Sequence, residues 1–201
     1  MDFSTVQSSL ISHKIELGLV QKRQVKRMSQ STSKVNQKFE YLIVLDFEST
    51  CWDTWPPAGQ NEIIEFPAVL LDLSSGNTLS EFHEYVKPTE QSILSSFCKN
   101  LTDWDLQICL HRECLRKQLK KPEFFNYWID IRYMYKKFYH RSPKGLAGAL
   151  QDLGISFVGQ EHSGICDTRN TAVLISRMIS DGCVMTITKS LAVNTNKVHA
   201  H

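Results

Sequence analysis

The order of apolar and polar positions divides the chain into a polar leader, a strand-rich half and a helix-rich half. Residues 1–38 are rich in Ser, Gln, Lys and Arg, with no aromatic between Phe3 and Phe39. That pattern predicts a flexible basic N-terminal tail. Tyr41 to Leu45 is then an unbroken apolar run, which predicts a strand buried on both faces. Asp46-Phe47-Glu48-Ser49-Thr50 follows without a break. Cys51 to Gln60, punctuated by Pro56, Pro57 and Gly59, reads as a loop. Ile63 to Leu73 and Glu81 to Val86 predict two more strands, joined as a hairpin through Ser74-Ser75-Gly76-Asn77.

After Lys87 helical spacing takes over. Leu106 to Lys121 fits a helix with Leu106, Cys109, Leu110, Cys114 and Leu115 near one face. Trp128 to Ile131 is a short apolar segment of strand character, and Arg132 to His140 a basic-aromatic helix. Pro143-Lys144-Gly145 opens a helix over Leu146 to Leu153 that Gly154 stops. Asp167 to Ser180 predicts a final helix, with Val173, Leu174, Met178 and Ile179 apolar. Residues 192–201 read as a C-terminal tail. Strands first, then helices interleaved with short strands, predict an α/β or mixed α+β domain over 39–191.

Composition narrows the class. The chain has 201 residues, 42% hydrophobic and 22% charged, a globular balance that excludes a wholly disordered, collagen-like or rod-like chain. Its strongly apolar runs are about five residues long, against the roughly 18 of a bilayer-crossing helix. Lys14 and Glu16 interrupt the one apolar stretch near the N-terminus. No membrane partner and no secretory leader are expected, and the expected location is intracellular, cytoplasmic and/or nuclear. Six cysteines at 51, 98, 109, 114, 166 and 183 show no C-x-x-C pair. In a reducing compartment they are expected as free thiols rather than three disulfides.

Charge is unevenly placed. Residues 1–39 carry net +5 and residues 111–144 net +7, on a chain of net +2. The second block also holds eight aromatics: Phe124, Phe125, Tyr127, Trp128, Tyr133, Tyr135, Phe138 and Tyr139. Cations for phosphates and rings for stacking are what single-strand nucleic-acid binders use. Most of these rings read as core, so Lys136, Lys137 and Arg141 are the candidate phosphate contacts.

Asp46 and Glu48 stand at the end of the first strand, two residues apart and so on one face. Buried carboxylates need an offset for their desolvation, and a divalent cation supplies one. Asp105 begins a helix, His162 lies in the loop Glu161-His162-Ser163-Gly164, and Asp167 follows His162 by five residues. Singly, Asp105 and Asp167 read as helix caps and His162 as a surface histidine.

Together, in that order, these residues resemble the DEDDh 3′–5′ exonucleases. The segments Leu45 to Cys51, Glu62 to Val69, Trp128 to Arg132, Gly145 to Leu150 and His162-Ser163-Gly164 resemble the Eri-type exoribonucleases, and within them the second animal paralogue. The resemblance implies a ribonuclease H-like α/β fold, a mixed sheet flanked by helices. It implies that Asp46, Glu48, Asp105 and Asp167 hold two Mg²⁺ or Mn²⁺ ions. It implies that His162 is the general base on the attacking water, a role an imidazole can fill. Glu48 would span metal and terminal nucleotide, with Ser49 and His162 also at the nucleotide. The substrate would be single-stranded RNA 3′ ends, trimmed to nucleoside 5′-monophosphates; nothing implies a particular protein partner.

The chain departs from the family in one place. Sixteen residues separate Pro88 from Asp105, where family members carry another helix and the strand leading into the second acidic motif. The missing segment is placed between about 100 and 103. A parallel crossover takes about a dozen or more residues before its next strand. One central strand and one helix are therefore expected to be absent, leaving an exposed sheet edge and no platform for Asp105. Cys166 also stands where relatives usually carry Asp. Two readings follow: an active metal-dependent 3′–5′ exoribonuclease, or a catalytically impaired RNA-binding or regulatory isoform. A zinc site from His162, Cys166 and other cysteines is a distant third.

Overall fold

The computed structural model describes residues 35–50, 61–90 and 105–191. Residues 1–34 of the expected tail at 1–38, the expected tail at 192–201 and the loop Cys51 to Gln60 lie outside the described residues, as does the segment at 91–104. Within 35–38, Gln37 is held by the Cys183 carbonyl and the Met185 N–H. Four strands form the main sheet: β1 (Tyr41–Leu45), β2 (Glu48–Ser49), β3 (Ile63–Asp72) and β4 (Thr78–Tyr85). The long β3 is central, with β1 and β2 end to end along one edge and β4 along the other. All three pairings are antiparallel. The hairpin between the second and third strands stands as read, although β4 begins three residues before the expected Glu81.

The strand buried on both faces is β3, not β1. Phe66, Ala68 and Val69 of β3 are fully buried, whereas Ile43 of β1 is 38% exposed. The reason is position: β3 has neighbours on both edges, while β1 has a strand on one side only among the described residues. An apolar run signals burial but not which strand occupies the middle.

The helical half begins with a π-helical turn at Asp105–Leu110 that runs into α1 (His111–Arg116). The expected helix to Lys121 ends early, because Gln118 takes a left-handed φ of 54°. The wide π turn also shifts the helical phase. Cys109, Leu110 and Cys114 go into the core, but Leu115 is left 67% exposed. A 3-10 turn at Glu123–Asn126 leads to β5 (Tyr127–Trp128), which pairs with β6 (Lys189–Ser190) in a small second sheet. Helix α2 (Ile131–Tyr139) is capped by Asp130, whose side chain accepts the Tyr133 N–H. Helix α3 (Gly145–Asp152) follows, then the long α4 (Gly164–Ser180).

Two apolar clusters hold these layers. Val44, Val69 and Leu71 of the sheet pack with Met134 and Tyr135 of α2, Leu150 of α3, and Leu174, Ile175 and Met178 of α4. Phe47, Ile63 and Phe66 pack with Cys109, Leu110 and Cys114 and with Phe125. Val173, expected on the apolar face of α4, is 47% exposed instead. The four described cysteines, Cys109, Cys114, Cys166 and Cys183, are free.

Candidate active site

The acidic centre is built from the break between β1 and β2. Alternation sends Phe47 into the core, its ring 4.5 Å from that of Phe66, while Asp46 and Glu48 flank it on the other side. In the antiparallel register Glu48 stands directly opposite Glu65 of β3. Directly opposed residues share a face, so two like charges meet there. Ser49, expected at the nucleotide, is buried, and its hydroxyl reaches Cys109. Any contact it makes with a ligand is therefore through its backbone.

Asp105 reaches this break from the π turn, and its carboxylate accepts the backbone N–H of Phe47. A buried ionic cluster fixes the helix behind it. Glu113 of α1 accepts the Ile63 N–H at 2.8 Å. Lys117 donates to Glu113 at 2.9 Å and to the fully buried Glu62 at 2.7 Å. Glu62 also accepts the N–H groups of Thr89 and Glu90 at 2.8 and 2.9 Å, and Arg116 pairs with Glu90 at 2.7 Å. The two ends that flank residues 91–104 are thus tied to the start of β3 by the same carboxylates.

Asp167 does not open its helix. Helix α4 begins three residues earlier, because the Glu65 carboxylate accepts the N–H groups of Gly164 and Ile165 at 3.1 and 3.0 Å. These are first-turn donors that have no intrahelical acceptor. Asp167 lies in that first turn and folds back to accept the His162 N–H at 3.0 Å. His162 is exposed and takes a left-handed φ of 68°. Gly164 permits the close approach of α4 to the sheet. A Cβ there would stand 2.8 Å from the Asp46 carbonyl oxygen and 3.1 Å from the Glu65 carboxyl carbon.

The electrostatics tie these residues together. Burial first, then Asp105, Asp167, Glu48 and Glu65, hold the Asp46 carboxyl well above its usual range. Burial, then Glu65 and Asp167, push Glu48 up to about 7. Burial and then Glu48 push Asp105 up to about 7, with the Phe47 N–H pulling the other way. Burial also raises Asp167, opposed by the His162 N–H. Among the described residues no Lys or Arg forms an ion pair with any of these four. Nor do any three His, Cys, Asp or Glu side chains among them close up into a ready-made metal nest. The donor set, hard carboxylate oxygens that raise one another with no Lys or Arg paired to them among the described residues, fits a hard divalent cation and not a thiolate-loving metal.

The candidate phosphate contacts lie elsewhere. Lys136 and Lys137 are exposed on α2, and the Lys137 ammonium sits 5.9 Å from the centre of the Tyr133 ring. Arg141 is turned back to the end of α3, where it donates to the Asp152 carbonyl at 3.3 Å. Of the eight aromatics, Phe125 and Tyr135 are core, while Phe124, Tyr127 and Tyr133 are roughly half exposed. Sequence pattern does not single out Glu62, Glu65, Glu113 or Lys117 as functional residues. Glu65 could have been found only from the strand register that sets it against Glu48.

The family description RNase_T, an exonuclease, matches residues 43–108. The chain is 46% identical to ERI1 exoribonuclease 2 of Xenopus laevis over 244 residues, covering 91% of this chain and 35% of that protein. It is 34% identical to the 3′-5′ exonuclease Snipper of Drosophila melanogaster, covering 83% of this chain and 79% of that protein. The chain belongs to the DEDDh 3′–5′ exonuclease family. Among solved structures it is similar to the nuclease domain of 3′hExo, a DEDDh family member bound to rAMP. That match has 30% identity and a TM-score of 0.71 over 78% of this chain and 100% of that one.

The fold is accordingly ribonuclease H-like α/β, and dependence on a divalent metal is a property of this family. The chain spans 34–41% of the length of the ERI1 exoribonuclease 2 relatives it matches. The Xenopus alignment runs over 244 positions, whereas 91% of this 201-residue chain is about 183 residues. Some 61 positions of that relative therefore face no residue here.

Proposed function

We propose that this chain trims single-stranded RNA from the 3′ end, releasing nucleoside 5′-monophosphates. The observation that carries this reading is the electrostatic coupling of Asp46, Glu48, Asp105 and Asp167, from three separate parts of the chain, with no Lys or Arg among the described residues in an ion pair with any of them. These four side chains are the holders of two Mg²⁺ or Mn²⁺ ions, which when bound would activate a water and stabilise the leaving 3′ oxygen. The His162 imidazole, exposed beside Asp167, takes the proton from the attacking water. Glu48 also faces the terminal nucleotide, and the backbone at Ser49 borders it. Lys136 and Lys137 serve the RNA backbone further along. Arg141 is the weaker candidate, because its guanidinium already caps α3.

A second reading has its own support. One edge of β1 carries no strand among the described residues, and some 61 positions of a relative have no counterpart here. We read these as the loss of a central strand and helix between about 100 and 103. A chain so altered binds RNA without cutting it. One experiment separates the two: 5′-labelled single-stranded RNA incubated with Mg²⁺, with Mn²⁺ and with EDTA, beside Asp46→Ala. A metal-dependent ladder shrinking from the 3′ end, absent in the variant, supports trimming. Salt-sensitive binding with no ladder from folded protein supports the second reading.

A further inference from the structure

We propose that Glu65 is a positioning residue for the acidic centre, locking the first turn of α4, and with it Asp167 and His162, against the Asp46 end of β1. The inference rests on the reading above and names a residue outside its ligand set. Glu65 is 6% exposed, and both its oxygens are engaged. Oε2 accepts the Gly164 N–H at 3.1 Å, and Oε1 accepts the Ile165 N–H at 3.0 Å. Oε1 also meets His83 Nε2 of β4 at 2.8 Å.

A carboxylate at a helix start answers both the free N–H groups and the positive end of the helix dipole. It also stands directly across from Glu48 and raises the Asp46, Glu48 and Asp167 carboxyls. That repulsion is a cost, offset by the order it imposes. Asp167 lies in the same first turn as these two N–H groups and is bonded back to His162. The absence of a side chain at Gly164 lets that turn sit against the Asp46 backbone. With its oxygens occupied by N–H donors, Glu65 acts through α4 and not as a fifth ligand.

The test compares the full chain with Glu65→Ala and Glu65→Gln, the latter keeping one oxygen to accept the N–H groups. Three quantities are read: amide exchange at Gly164 and Ile165, Mn²⁺ affinity by calorimetry, and kcat and KM on labelled RNA. For Glu65→Ala we expect faster exchange at both amides and Mn²⁺ affinity weakened about tenfold. We expect kcat about a hundredfold lower with KM little changed. Glu65→Gln should recover most of each. A folded Glu65→Ala chain with wild-type exchange, affinity and kcat overturns the inference. Glu65→Gln as damaging as Glu65→Ala also overturns it, since the charge would then act directly. Should Glu65→Ala fail to fold, Glu65→Gln with wild-type exchange and kcat supports the lock and with neither overturns it. Should the wild-type chain neither bind Mn²⁺ nor trim RNA, the proposed function fails, while amide exchange in Glu65→Ala still decides the lock.

Discussion

Glu48 and Glu65 face each other across adjacent antiparallel strands, two carboxylates in direct register at the edge of the acidic centre. The folded chain therefore holds protons there that the unfolded chain has released. With Glu48 raised from 4.5 to about 7 and Asp105 from 3.8 to about 7, the metal-free chain should lose stability as pH rises from about 4 to about 7. Above that window the loss levels off. Mn²⁺ replaces the missing protons as counter-charge, so its stabilising effect should grow across the same window. Thermal melts in EDTA and in Mn²⁺ across this pH range check both; a metal effect independent of pH contradicts the assignment.

Asp46 is the most heavily opposed of the carboxylates. Asp46→Asn should therefore raise the melting temperature in EDTA while reducing trimming to background. Stability gained by removing an unpaired buried charge, at the expense of activity, is the usual signature of a working site. A melt and a ladder assay on the same preparation suffice.

Lys117 is shared between Glu62 and Glu113. Lys117→Met strands both acids and should destabilise the fold by about 3 kcal/mol, read from urea unfolding. Adding Glu62→Gln should recover part of that loss. Because the cluster anchors α1 behind Asp105, the surviving folded fraction should also trim more slowly.

Gly164 tolerates no Cβ without a shift, since the added atom would meet the Asp46 carbonyl oxygen at 2.8 Å. Gly164→Ala should push α4 off the sheet and lower kcat by about a hundredfold. Gly148→Ala in α3, where a Cβ would have its nearest neighbour at 3.7 Å, is the control. It should be neutral or stabilising by up to about 1 kcal/mol.

Lys136 and Lys137 are exposed on one side of α2. Reversing both to Glu should weaken RNA binding and flatten its dependence on salt by about two phosphate contacts. Unchanged binding would place the RNA path away from α2.

Local pattern was enough for much of this molecule. The apolar run at Tyr41 to Leu45, the hairpin turn at Ser74 to Asn77, and the helices ending at Gly154 and Asp181 follow from periodicity and turn chemistry, which act over a few residues. So does the placing of Asp46 and Glu48 on one side of Phe47, since alternation along a strand is local. The family, too, was legible, because its acidic residues keep their order and local context. What tertiary structure alone decided are relations between distant segments. These include which strand is central, that Glu65 opposes Glu48 and starts α4 before Asp167, and that Glu62, Lys117 and Glu113 hold the helix behind Asp105. Register and cross-chain hydrogen bonds couple residues from about 17 to 100 positions apart, and the energy that selects them comes from burial and pairing in the assembled core. No window of sequence contains those partners together, so no pattern within one can reveal them.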